Sequence, residues 1–227
     1  MDTSTYPVFL SFPDHALLPS SALTWLSLHL GWAIVLGALT LWIASRLRPG
    51  IRWPLAGLVC LWTLLPNAAS PAFWLGLACQ SPSLMSVILC LGWMLHRPGS
   101  GGLGAAAPKT VCATHLVLTM AGVLLGWVLL LDTLALLPVS IYAWGFGSSA
   151  VALALLAAAL FWLALGSRTS VAPLAVLALF VLTRAPTGNL WDALIDPLLW
   201  LTLQVGCLFS LARSCWTSRR SSPATRA

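Results

Sequence analysis

Apolar residues run through this sequence in long blocks, not in the strict alternation of a strand or the single stripe of a water-facing helix. Polar and charged residues gather at the block edges. A helix needs about 20 apolar residues to cross a bilayer core, at a rise of about 1.5 Å each. On that measure the blocks at 22–45, 53–70, 71–95, 111–131, 149–166, 171–183 and 195–212 form seven candidate spans. Pro66 and Asn67 shorten the second, Gln80-Ser81-Pro82-Ser83 interrupts the third, and the sixth is brief. The pattern predicts an all-α fold, a polytopic transmembrane helical bundle over 22–213. An outer segment, 1–21, precedes it and a basic, Ser-rich tail, 214–227, follows it.

The connections agree with this division. Residues 46–52 form a basic turn with Pro49 and Gly50, and 98–108 form a Gly/Ala-rich loop closed by Lys109. Pro138 and several glycines interrupt 134–147, which is expected to lie at the interface or dip partway in. Proline at 82 frees a backbone carbonyl, so a kink is expected there, with the flanking serines satisfying that carbonyl.

Composition then excludes the soluble classes. Only 7% of residues are charged and 59% are hydrophobic, against about 25% charged in an ordinary soluble domain. The formal net charge of +6 would suggest nucleic acid, but its distribution points elsewhere. If the spans alternate, every Lys and Arg except Arg184 falls on one side and all five acids fall on the other. Positive loops stay cytoplasmic, which places the N-terminus outside and the C-terminus inside. The basic excess is thus a topology signal, with the lipid bilayer as partner and no nucleic acid. The N-terminus lacks a basic n-region, so a cleaved signal peptide is not expected. Together with the Ala/Leu/Trp/Arg bias, this suggests a bacterial inner membrane.

Within lipid, helices associate by close backbone approach. Gly122 with Gly126, Ala150 with Ala154 and Ala158, and Ala33 with Gly37 offer small-residue stripes for internal packing. The 13 tryptophans suit an interfacial belt. The six cysteines show no Cys-x-x-Cys and read as small buried hydrophobes. Neither a cofactor nor a metal is expected. His96 and His115 near the inner face read as surface histidines. The Gly-x-Gly-x-x-Gly at 99–104 follows no strand and is not a nucleotide fingerprint.

Candidate chemistry concentrates on the outer side. Asp132 ends the fourth span, Tyr142 lies in the loop after it, and Asn189, Asp192 and Asp196 precede the seventh. Asp192 and Asp196 are four apart and on a helical turn would share a face. They would then hold a cation or act as acid and base, or simply cap the seventh helix, whose Pro197 suits a first helical position. Trp25-Leu26-Ser27-Leu28-His29 resembles Trp200-Leu201-Thr202-Leu203-Gln204, and Trp74-Leu75-Gly76-Leu77 precedes Gln80. This echo sets His29, Gln80 and Gln204 at similar depth, where polar side chains often line a solute or proton path.

Spans one to three and five to seven share an orientation, a 3+1+3 layout that resembles SWEET sugar transporters in span count and orientation only. The proline-glutamine pairs and helix prolines of that family are absent. The leading expectation is a non-enzymatic membrane protein that transports or binds a small solute or cation. The alternatives are an accessory or scaffold subunit with a membrane protein partner, and an enzyme whose outward carboxylates act on a lipid-linked or periplasmic substrate.

Overall fold

The computed structural model describes residues 18–95, 109–165 and 171–220, with side chains described over 18–95, 116–147, 150–159 and 171–212. Asp2, Asp14, His96, Arg97, the 99–104 glycine run, Arg168 and Arg226 lie outside the described residues, and the side chains of Lys109, His115, Arg213, Arg219 and Arg220 lie outside as well. Among the described residues every regular element is helical and there is no strand.

Ser20 Oγ accepts from Leu23 N and starts α1, Ser21–Ile43. A 3-10 turn, Ala44–Arg46, leads to α2, Pro49–Thr63, where Pro49 occupies a first-turn position that needs no N–H donor. The second expected span is therefore α-helical only to Thr63; beyond it, Pro66 and a left-handed Asn67 (φ 57°) turn the chain into a short 3-10 turn, Asn67–Ala69. Helix α3, Pro71–Cys79, is capped by Ser70, and α4 covers Leu84–Leu95. The third expected span is thus two short helices, not one kinked helix. At the break Gln80 adopts φ 60° and ψ −158°, which no helix can pass through.

Helix α5, Lys109–Thr133, is followed by the four-residue α6, Ile141–Trp144, inside the interrupted stretch. Then come α7, Ser148–Leu165, α8, Val171–Thr183, α9, Leu190–Leu194, and α10, Pro197–Arg220. Two helical stretches among the described residues are long and apolar enough to cross a membrane, Ser21–Arg46 and Leu116–Thr133. The apolar stretches Leu84–Leu95, Ala150–Ala159, Val171–Thr183 and Pro197–Ala212 are shorter.

Neighbours follow in the order α2, α1, α4, α8, α7, while α10 pairs with α5. The tightest core lies between α4, α7, α8 and α9, where Val176, Phe180, Leu190 and Ala193 are fully buried against Met85 and Ile88. Helix α8 is short, yet it is central. The small-residue stripes pack inside, as their spacing predicts. Ala150 lies in this core with Ala154 and Ala158 against it, and Gly37 faces Cys60 of α2. Gly122 and Gly126 face Leu203 and Trp200 of α10, so close that a Cβ at Gly126 would overlap the indole.

A buried carboxylate junction and two adjoining cavities

Two helix N-termini meet at one side chain. Asp196, 8% exposed, precedes Pro197 and caps α10 by accepting from Leu199 N through Oδ1 at 2.7 Å. Its Oδ2 accepts from Ser83 N at 2.8 Å, Ser83 Oγ at 2.7 Å and Ser86 Oγ at 2.5 Å. Ser83 also accepts from Ser86 N, so it caps α4 while binding the carboxylate. The negative charge therefore faces the positive ends of α4 and α10 together, where helix dipoles favour it. Capping, one of the two sequence expectations for Asp196, is what the geometry displays.

Of the two serines flanking Pro82, Ser83 serves this carboxylate and not a freed carbonyl. The carbonyl at the break itself, Gln80 O, accepts from Trp32 Nε1 of α1 at 2.9 Å. The difference arises because the chain leaves helical geometry at Gln80 altogether, which turns the Ser83 amide toward α10.

Asp192 does not share a helical face with Asp196. Helix α9 ends at Leu194, and Ile195 is extended (φ −145°, ψ 141°), so the chain straightens between the two carboxylates. Asp192 Oδ2 accepts from Tyr142 Oη at 2.8 Å and Thr187 Oγ1 at 2.5 Å. Among the described residues no hydrogen bond reaches its Oδ1. Asp132, at the end of α5, accepts from Tyr142 N at 2.6 Å and from Ser140 Oγ at 3.4 Å. Asn189 caps α9 and donates through Nδ2 to Tyr142 O, while Trp191 Nε1 donates to Ile141 O. A backbone bond from Leu190 N to Gly145 O completes the clamp between α6 and α9.

Tyr142 is thus held by three of the four other outer residues singled out from sequence, Asp132, Asn189 and Asp192, and not by Asp196. Burial, the Asp192 charge and the hydrogen bond to Asp192 together hold its phenol well above the usual tyrosine range, and the Asn189 contact opposes them. A phenolate beside a carboxylate is disfavoured, so Tyr142 acts as a donor.

These groups line a cavity of about 460 Å³, with Gln80, Tyr142, Thr187, Asp192 and Asp196 on its polar side and Gly126 and Trp200 on its apolar side. A second cavity of about 500 Å³ carries Thr24, His29, Asn67, Gln80, Ser81 and Thr187. Gln80, Ser81 and Thr187 belong to both. The structure therefore brings Asp192, Asp196, Tyr142 and Gln80 to one cavity, and His29 with Gln80 to the other. Asp132 and Asn189 support the first from behind. Gln204 lines neither, so the three-fold Trp/Leu echo places two of its polar residues together and leaves the third apart.

Sequence reasoning missed Thr187, Ser83 and Ser86 as site residues. Thr187 lies in the quoted polar loop and Ser83 in the interrupted span, but nothing in their spacing reveals partners more than a hundred residues away for the serines. Among the described residues no group of three or more His, Cys, Asp or Glu is placed to hold a metal ion. Comparison with protein-family models, curated proteins and solved structures finds no match to this chain.

Proposed function

We propose that this chain is a polytopic protein of a bacterial inner membrane, with seven spans, an outer N-terminus and a cytoplasmic C-terminus, that binds and transports a small cationic solute. The observation that carries the binding role is Asp192. Its carboxylate lines a cavity of about 460 Å³, and among the described residues no hydrogen bond reaches Oδ1 and no Lys or Arg lines that cavity. A cavity of this size suits a small molecule, and an uncompensated carboxylate in a low-dielectric wall attracts a cation.

The broken helix beside it supports transport, because discontinuous spans supply backbone and half-helix ends to solute sites in membrane carriers. Lipid contact is supported by the outward faces of the helices, where Leu182 is 81% exposed and Leu208 and Phe209 are each 66% exposed. In water such a surface would aggregate. The catalytic alternative has less support. Asp196 spends both oxygens on capping and Asp132 binds Tyr142 N, so among the described residues an acid-base pair of free carboxylates is lacking.

The test uses protein reconstituted in lipid nanodiscs and titrated with cyclohexylamine, whose ammonium is the simplest apolar-backed cation. Binding that weakens at least tenfold in Asp192→Asn supports the reading. Equal affinity in both proteins, or no binding to either, overturns it. Terminal tags that report from the same compartment in intact cells would overturn the odd span count.

A further inference from the structure

His29 is 4% exposed and sits in the wall of the second cavity. Its Nδ1 lies 3.0 Å from Trp25 O, and a carbonyl only accepts, so Nδ1 carries a proton. The ring stacks on Trp25, with centroids 4.2 Å apart, which fixes its plane. The other nitrogen, Nε2, is buried and has no hydrogen-bond partner among the described residues. In the neutral ring it is an acceptor, and a buried acceptor left unpaired is costly. A hydrogen-bond donor brought into this cavity would relieve that cost.

The two cavities differ in chemistry. Among the described residues, the second is lined by neutral polar groups and by apolar Leu28, Phe73 and Leu77, with no carboxylate. The first carries Asp192 and Asp196. Thr187 lines both and donates directly to Asp192, so the carboxylate lies one hydrogen bond from a residue the two cavities share.

We infer that the two cavities are subsites for one ligand of the amino-alcohol or amino-sugar class. Its ammonium group lies at Asp192, and a hydroxyl donates to His29 Nε2 where the two cavities adjoin along Gln80, Ser81 and Thr187. This deepens the solute-binding reading and rests on it. The donor is a hydroxyl because the described residues of the second cavity offer no countercharge for a second cation, while its Thr, Asn, Gln and Ser groups suit the other oxygens of a polyol.

The experiment compares three probes in nanodiscs by calorimetry: glucosamine, cyclohexylamine, which has the ammonium alone, and glucose, which lacks it. The expected result is that glucosamine binds at least tenfold more tightly than either of the others. His29→Phe should erase that advantage while leaving cyclohexylamine affinity unchanged, and Asp192→Asn should weaken both amines. His29→Gln, which retains an acceptor, should restore part of the advantage. Nitrogen NMR of His29 should show Nε2 becoming hydrogen-bonded on addition of glucosamine.

If glucosamine and cyclohexylamine bind equally, or if His29→Phe weakens both alike, the second subsite is refuted while the cation site stands. If His29→Phe does not fold, the NMR shift decides: an unchanged Nε2 signal at saturating glucosamine refutes the subsite. If no amine binds, the solute-binding reading and this inference fall together.

Discussion

Asp192 and Asp196 are the same residue type, four positions apart on the wall of one cavity, and they do different work. Asp196 accepts through both oxygens and joins the starts of α4 and α10. Asp192 gathers its two bonds on Oδ2 and leaves Oδ1 unbonded. The difference comes from the backbone between them. Ile195, extended between the end of α9 and the residue that caps α10, turns one carboxylate into a cap. A buried acid is therefore no guide to function until its acceptor sites have been counted. The saturated one belongs to the architecture, and the half-used one keeps an acceptor for the proposed ligand.

The contrast is open to direct attack, most strongly at Asp196. Asp196→Ala strands Ser83 N, Ser83 Oγ and Ser86 Oγ and removes a helix cap. A loss of roughly 3 kcal/mol or more is expected, since a cap contributes about 1 and each stranded buried donor about 1–3. Thermal unfolding in detergent micelles measures it, and a variant as stable as the parent would mean that Asp196 is no junction. Gly126→Ala tests the opposite wall of the cavity, where the added methyl meets the Trp200 indole. Overpacking there should cost about 1–3 kcal/mol by the same assay, and an unchanged melting temperature would show that α5 and α10 are not pressed together.

Tyr142→Phe removes one bond to Asp192 and should cost about 1 kcal/mol. Its pH signature is more specific. Because the folded phenol titrates above the unfolded one, the protonated form stabilises the fold below the ordinary tyrosine pKa of about 10. That contribution declines as pH rises past this value. Ultraviolet titration of the folded protein should therefore show Tyr142 ionising late, and the alkaline decline in stability should be shallower in the Phe variant. Asp192→Asn is expected to change stability least, within about 1 kcal/mol, because the amide oxygen can still accept from Tyr142 and Thr187. Destabilisation as large as that of Asp196→Ala would erase the distinction between the two acids.

Much of the helical layout was legible because apolar blocks bounded by Pro, Gly and charge are local signals. The 171–183 block coincides with α8, and Pro197 marks a helix start as its chemistry demands, whereas Pro49, expected in a turn over 46–52, already begins α2. The break at Gln80 was legible as an interruption but not in its extent, since a proline kink and a full left-handed break share the same letters. The acidic cluster was visible as composition. Its sorting into cap, tether and free carboxylate was not, because that depends on Ser83, Ser86 and Tyr142 arriving from distant parts of the chain. His29 could be named as a polar residue in an apolar helix, whereas the unpaired Nε2 is a property of three-dimensional packing alone.

The discontinuity between α3 and α4 is secured from two directions, by the Trp32 indole on Gln80 O and by Asp196 on Ser83 N. A break braced on both flanks is a stiff corner, not a pivot. If the proposed solute enters, the movement that admits it must be taken up elsewhere; α10 is tied to the corner through Asp196, whereas α5 packs mainly on α10 and α6, so the seam between α5 and α10 is suited to it. Cross-linking that pair should arrest exchange, whereas stiffening the corner further should leave it untouched.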